Sequence, residues 1–257
     1  EELEEIEKEN QNEIFRAADN VEPMPNADGS KYDEFLLPEP YVKIDDDTEK
    51  NLDPNAEEIT YLQGINESIK EEFRRNPNTY AWGQDVASKD KGGVFNAFKG
   101  MLQEFGNDRI FNSPIAENNI VGTADGFCRD RDDIRVCIEG AEFADYFWPA
   151  MDQLVELSHE YWRTKGQYSP NVVIRLASGG YIQGGLYHSQ NLEATFTSLP
   201  GIRVVQPAFA DDAVGLMRNS MRSRGVTMYL EPKFLYNFKQ AAGPMPPEDF
   251  VVPFGKA

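Results

Sequence analysis

The chain has 257 residues, 40% of them apolar, which is enough to bury a core of domain size. Its formal charge is −19, and residues 1–60 hold 20 of the 44 acids against 5 of the 25 bases, so the acidity belongs to the N-terminal segment and the rest is nearly neutral. That balance excludes nucleic acid as a partner, the lack of any apolar run near ~20 residues excludes a membrane span, and two companionless cysteines, Cys128 and Cys137, exclude a disulfide framework or a thiolate metal site.

Taken in chain order, residues 1–20 form an exposed charged helix with a thin apolar stripe. Residues 21–58, rich in Pro, Asn and Asp and containing Asp45-Asp46-Asp47, cannot build a core and are expected to be an extended linker. Glu-Glu-Leu-Glu-Glu at the start is neither an initiator methionine nor a signal peptide, so the chain is expected to be a fragment of something longer, from a reducing, cytoplasmic setting.

From Ile59 the pattern changes. Thr60 followed by Gln63 fits a capping box, and Leu62, Ile65, Ile69 and Phe73 then lie on one helix face. Residues 79–86 are expected to form a short strand. Gly92-Gly93 breaks the chain, Phe98, Met101, Leu102 and Phe105 mark a helix stopped by Gly106, and Ser113-Pro114 is expected to start another. Strands are then expected at 134–138, 171–178, 202–207 and 227–232. Helices are expected at 147–164, after Ser189, and at 211–221. Short apolar strands separated by helices predict an α/β fold, a mostly parallel sheet flanked by helices, with ligands at the carboxyl ends of the strands.

Five segments together, NSPIAENNIVG (112–122), EFADYFWPAMDQL (142–154), GGLYHSQNLEATF (184–196), PGIRVVQPAFADDAVGLM (200–217) and LEPKFLYN (230–237), resemble the beta subunit of the 2-oxo acid dehydrogenases that act on pyruvate or branched-chain substrates. The resemblance runs from about residue 59 to 240 and implies the thiamin-diphosphate-binding fold of the transketolase pyrimidine type. Residues 1–40 resemble the C-terminal tail of the same enzyme's alpha subunit, with 41–58 an acidic linker. Residues 241–257 resemble the exit towards a C-terminal domain not included here. Together these imply a chain in which alpha is fused to beta.

The resemblance implies roles for particular residues. Glu117 would share a proton with a ring nitrogen of the cofactor's aminopyrimidine, as catalytic and cofactor-binding group. The alternative is an acid favoured by a helix N-terminus, although Glu117 stands one position beyond the capping-box spacing from Ser113. His188 would handle protons near the thiazolium, the alternative being a loop histidine bonded to backbone. Tyr146 would stack on the pyrimidine, the alternative being a core aromatic. Phe143, Trp148 and His159 read as structural. Gly184 and Gly185 allow close backbone approach. The resemblance also implies a potassium ion held by backbone near residue 172 and near Ser220, Ser223 and Gly225.

The resemblance implies that Mg²⁺ and the diphosphate are bound by the alpha half through a Gly-Asp-Gly motif, and no Gly-Asp-Gly occurs in this chain. The segment GFCRDRDDIRVCIEGAE between Glu117 and Tyr146 is more charged than the family pattern. The expected activity is decarboxylation of a 2-oxo acid, with branched-chain substrates favoured and pyruvate also open, and acyl transfer to a lipoyl acyltransferase core by a two-fold assembly. The alternatives are another thiamin enzyme, such as transketolase or deoxyxylulose-phosphate synthase, or a scaffold subunit without catalysis.

Overall fold

The computed structural model describes residues 2–26, 28–43 and 52–255. The chain divides into two compact units, Glu1–Glu34 and Phe35–Ala257. The first contains helix α1 (Glu2–Val21) and a single 3-10 turn at Gly29–Lys31, capped by Asp28, whose Oδ1 accepts from Ser30 N at 2.9 Å. No residue of α1 is buried, as its thin apolar stripe predicts. The aspartate run 45–47 lies outside the described residues.

The second unit is built on a six-stranded sheet. Its strands are β2 (Thr79–Gly83), β3 (Ile110–Asn112), β4 (Arg135–Ala141), β5 (Val172–Ser178), β6 (Ile202–Val205) and β7 (Val226–Pro232), in the order β3-β2-β4-β5-β7-β6 with every pairing parallel. A small antiparallel ribbon joins β1 (Glu58–Ile59) to β8 (Gly243–Pro244). Helices α2 (Tyr61–Arg75) and α7 (Ala210–Arg222) pack on one face together with the short α3 (Met101–Phe105). Helices α4 (Glu117–Cys128), α5 (Met151–Arg163) and the short α6 (Glu193–Thr197) cover the other.

Alternation along the central strands feeds both faces. Val172, Ile174 and Leu176 of β5 join the α4–α5 core, while Val173 and Ala177 join the α2–α7 core. Each fully buried large apolar side chain, such as Phe73 or Ile174, contributes roughly 1.5–3 kcal/mol. The capping box at Thr60 and Gln63 forms as read, and Ile65, Ile69 and Phe73 are fully buried.

A buried ion pair inside the α2–α7 face escapes the apolar pattern. Arg175 donates from Nε and Nη2 to the two oxygens of Glu231, both at 2.7 Å, and Tyr236 Oη donates to the same carboxylate at 2.8 Å. Burial of a charge is tolerated only with this kind of pairing.

Three expectations are corrected. The helix expected from Ser113-Pro114 begins at Glu117, because Ser113 N extends the ladder to Gly83 O at 2.8 Å and Ala116 takes the cap position without a side-chain cap. The helix expected from Phe147 starts at Met151, after a 3-10 turn at Trp148–Ala150. Trp148 is half exposed instead of being packed in the core.

Residues 35–43 carry no helix or strand, yet they are docked. Tyr41 N donates to Ser223 Oγ at 2.9 Å, Val42 N donates to Asn219 Oδ1, and Pro38 is buried. The charged stretch after α4 is a solvated turn, with Asp130, Arg131, Asp132 and Asp133 exposed. Among the described residues no helix is long and apolar enough to cross a membrane.

Candidate active site

The carboxyl ends of neighbouring strands deliver the candidate residues to one edge of the sheet. Gln84 follows β2, Glu117 follows β3 and opens α4, Tyr146 follows β4, and His188 follows β5.

Glu117 is half-buried at the first position of α4, where the helix dipole favours an acid, so that alternative describes its backbone position. Its side chain is further committed: Oε1 accepts from Gln84 Nε2 at 2.9 Å. Exposed Ile115 stands two residues before it.

Tyr146 and His188 come together. Tyr146 lies on a 3-10 turn (Ala144–Tyr146) and is 44% exposed, so it is not a core aromatic. The His188 ring meets it at 5.4 Å between centroids and 68°, and meets Phe143 edge-on at 4.4 Å and 87°. Phe143 is the packing residue between them, also touching Phe95 at 5.5 Å.

His188 Nδ1 lies 3.0 Å from Gly184 O. A carbonyl only accepts, so Nδ1 carries the hydrogen and the neutral ring presents Nε2 as a base. The approach needs glycine, because a Cβ on Gly184 would stand 2.7 Å from His188 Cβ. His159, by contrast, bonds within its own helix to Val155 O.

Asp145, between the aromatic residues of the motif, was given no role by the sequence. It is buried, and its Oδ1 accepts from Ser189 N at 3.1 Å and Gln190 N at 2.9 Å, which fixes the chain just after His188. Lys233 places its Nζ 5.5 Å from the centre of the Phe143 ring. Burial pushes the Lys233 ammonium below its usual range, with Asp145 opposing. A cavity of about 720 Å³ opens beyond it at the ends of β5, β6 and β7, lined by Ser178, Tyr181, Glu193, Gln206 and Lys233. That cavity does not include Glu117, Tyr146 or His188. Only the FADY motif itself could have drawn attention to Asp145, and nothing in one sequence marks Gln84.

The residues expected near potassium lie at the opposite edge, where β7 begins. Ser220 Oγ donates to Leu216 O, Ser223 Oγ donates to Asn219 Oδ1, and Gly225 N donates to Asn171 Oδ1. Both hydroxyls are thus engaged, and the Arg203 guanidinium stands beside them, donating to Arg224 O at 2.7 Å. A cation there would have to use backbone carbonyls. Among the described residues no cluster of three or more His, Cys, Asp or Glu could hold a metal ion.

Comparison with known proteins agrees with this architecture. The family described as "Transketolase, pyrimidine binding domain" matches residues 57–239. The chain is 35% identical over 200 residues to the 2-oxoisovalerate dehydrogenase subunit beta of Bacillus subtilis, covering 77% of this chain and 59% of that protein. It is 34% identical over 212 residues to the mitochondrial 2-oxoisovalerate dehydrogenase subunit beta 2 of Arabidopsis thaliana, covering 82% and 57%. It is 32% identical over 200 residues to the pyruvate dehydrogenase E1 component subunit beta of Acholeplasma laidlawii, covering 77% and 59%. The chain therefore spans less than three-fifths of the length of these relatives. With its parallel sheet and its match over residues 57–239, the chain belongs to the transketolase-type pyrimidine-binding domains, in the branch formed by the beta subunits of the 2-oxo acid dehydrogenases.

Proposed function

We propose that the chain supplies the pyrimidine-binding half-site of a thiamin-diphosphate-dependent 2-oxo acid dehydrogenase, branched-chain substrates being favoured. The observation that carries this reading is the edge on which Glu117, Tyr146 and His188 stand, with Glu117 held through one oxygen and Tyr146 partly exposed beside His188. The residues fit the pyrimidine end of the cofactor: a carboxyl group for a ring nitrogen, and a flat aromatic surface for a flat heterocycle. Thiamin diphosphate, when bound, supplies the electron sink that lets a 2-oxo acid lose carbon dioxide.

The chain's own residues then divide the remaining work. Glu117 holds a proton at its free oxygen against the ring nitrogen. Tyr146 orients the ring by stacking. His188, with Nδ1–H fixed on Gly184 O, offers Nε2 to accept or return a proton near the reacting carbon. Asp145 keeps that histidine's loop in place through two backbone N–H groups.

Leu186 and Tyr187 beside His188, and Ile115 beside Glu117, are exposed. Such an apolar rim suits coverage by a second half carrying the diphosphate and Mg²⁺ ligands, the alpha half of the same enzyme. A two-fold assembly and acyl transfer to the lipoyl group of an acyltransferase core belong to the same reading. A potassium site on the carbonyls of Ser220, Ser223 and Gly225 would be structural, since it lies at the other edge of the sheet.

The test is Glu117→Ala in the full-length protein, assayed by dye reduction with 2-oxoisovalerate and with pyruvate. A loss of at least a hundredfold in kcat is expected with both, from removal of a proton-transfer group. Normal turnover by the variant would end the reading.

A further inference from the structure

The contact that holds Glu117 comes from a turn that is itself tied down. Gly83 O accepts from Ser113 N at 2.8 Å, at the foot of the segment that carries Glu117. Asn112 grips the other end of the turn, its Oδ1 accepting from Ala87 N at 2.7 Å and its Nδ2 donating to Ala87 O at 3.3 Å. Between them Asp85 adopts a left-handed φ of +56°, and its carbonyl accepts from Gly93 N at 3.0 Å. Gly83 packs so closely on β4 that an added Cβ would stand 2.7 Å from Glu139 Cβ. Gln84 is therefore 7% exposed, on a turn pinned to β3, β4 and the loop around Gly93.

We propose that Gln84 is a positioning residue for Glu117, its carboxamide clamping one carboxylate oxygen so that the other is presented to the pyrimidine ring nitrogen. This rests on the pyrimidine-binding reading of Glu117 given above. The choice of an amide has a chemical consequence. An amide N–H remains a donor at every pH and brings no titrating proton, so the site handles protons as a single acid. A carboxyl group in its place would stand within hydrogen-bond distance of Glu117, and the two would share a proton, one of them holding it to much higher pH.

The experiment measures the Kd for thiamin diphosphate by titration calorimetry in excess Mg²⁺, from pH 6 to 9. It uses the assembled enzyme as wild type, Gln84→Met, Gln84→Glu and Glu117→Ala. Gln84→Met is expected to weaken binding about tenfold, the worth of one hydrogen bond to a charged group. Gln84→Glu is expected to move the pH at which affinity is half lost upward by about one unit or more, because the shared proton is held longer. A merely structural role for Gln84 would leave the Kd of a folded Gln84→Met variant unchanged, since only loss of the bond to Glu117 weakens binding. Wild-type Kd and pH dependence in both Gln84 variants, with binding lost in Glu117→Ala, overturns the proposal and leaves the pyrimidine reading standing. Wild-type binding by Glu117→Ala removes the pyrimidine reading and the proposal with it. Should Gln84→Met not fold, the isosteric Gln84→Glu decides alone, by whether its midpoint moves.

Discussion

Glu139 should make the protein less stable as the pH rises through neutrality, and Glu139→Gln should abolish that dependence. The residue is buried near the end of β4, and its Oε2 has no hydrogen-bond partner. Gly93 lies against that oxygen, an added Cβ there standing 2.6 Å from it. Burial pushes the Glu139 carboxyl from 4.5 up to about 8; Arg175 pulls the other way, and Glu231, Glu142 and Asp85 push it further. Arg175 cannot compensate fully because its guanidinium is committed to Glu231. In the unfolded chain the carboxyl ionises at its ordinary value, so the folded state binds this proton more tightly. The resulting stabilisation is complete below pH 4.5 and is lost as the pH climbs to about 8. The difference amounts to about 3 kcal/mol at pH 7 and about 5 kcal/mol above pH 9. For a domain of this size that is a fall in Tm on the order of 10 °C between pH 5 and 8. Thermal melting of wild type and Glu139→Gln across that range tests it. The variant's curve should be flatter, whatever constant offset the new amide introduces. Parallel curves from pH 5 to 9 would refute the reasoning.

Three further outcomes are expected. Arg218 is fully buried and ties Glu71 to the carbonyls of Pro247 and Phe250. Arg218→Met should cost about 3 kcal/mol, read by urea unfolding, and should expose residues 246–252 to limited proteolysis. Asp145→Ala orphans the amides of Ser189 and Gln190, so their hydrogen exchange should accelerate at least about tenfold while α5 amides exchange unchanged. Burial pushes the thiols of Cys128 and Cys137 up to about 12, so neither should react with a disulfide reagent at pH 8 until the protein is unfolded in guanidinium.

Local signals were legible where one physical cause dominates. The capping box, the Gly106 stop and the apolar alternation of β4, β5 and β7 are each written in a few adjacent residues, and they yield the parallel sheet. The helix start at 113–114 failed because Ser113 answers to a long-range partner, Gly83 O, and not to its own neighbours. The three-residue strand β3 is too short to show a period. Docking of residues 35–43 was invisible because it depends on Asn219 and Ser223, about 180 positions away in the chain. The interest of Tyr146 and His188 came from family resemblance, since each residue alone reads as ordinary, and their mutual contact is visible only in the structure. The partners that fix them, Asp145 for the His188 loop and Gln84 for Glu117, have no local signature, because each acts across strands.

Several charged side chains lie on or just after the central strands that lead to the proposed site. Arg175 and Glu231 pair at the carboxyl halves of β5 and β7, Lys233 follows β7, Asp145 follows β4, and Glu139 lies within β4. Burial, with Glu231, Glu142 and Asp85 nearby, favours the protonated form of Glu139 in this region. The immediate partners of the proposed site's proton-handling groups are Gln84 for Glu117 and Gly184 O for His188. Ionisation of Glu139 would place an uncompensated negative charge in a low-dielectric region close to the turn that carries Gln84. The stability profile of Glu139→Gln and the cofactor-binding profiles of the Gln84 variants therefore probe one electrostatic arrangement from two sides. Because Glu139 holds its proton below about pH 8, Glu139→Gln should leave the wild-type pH dependence of thiamin diphosphate binding unchanged below pH 7, even while it flattens the melting curve.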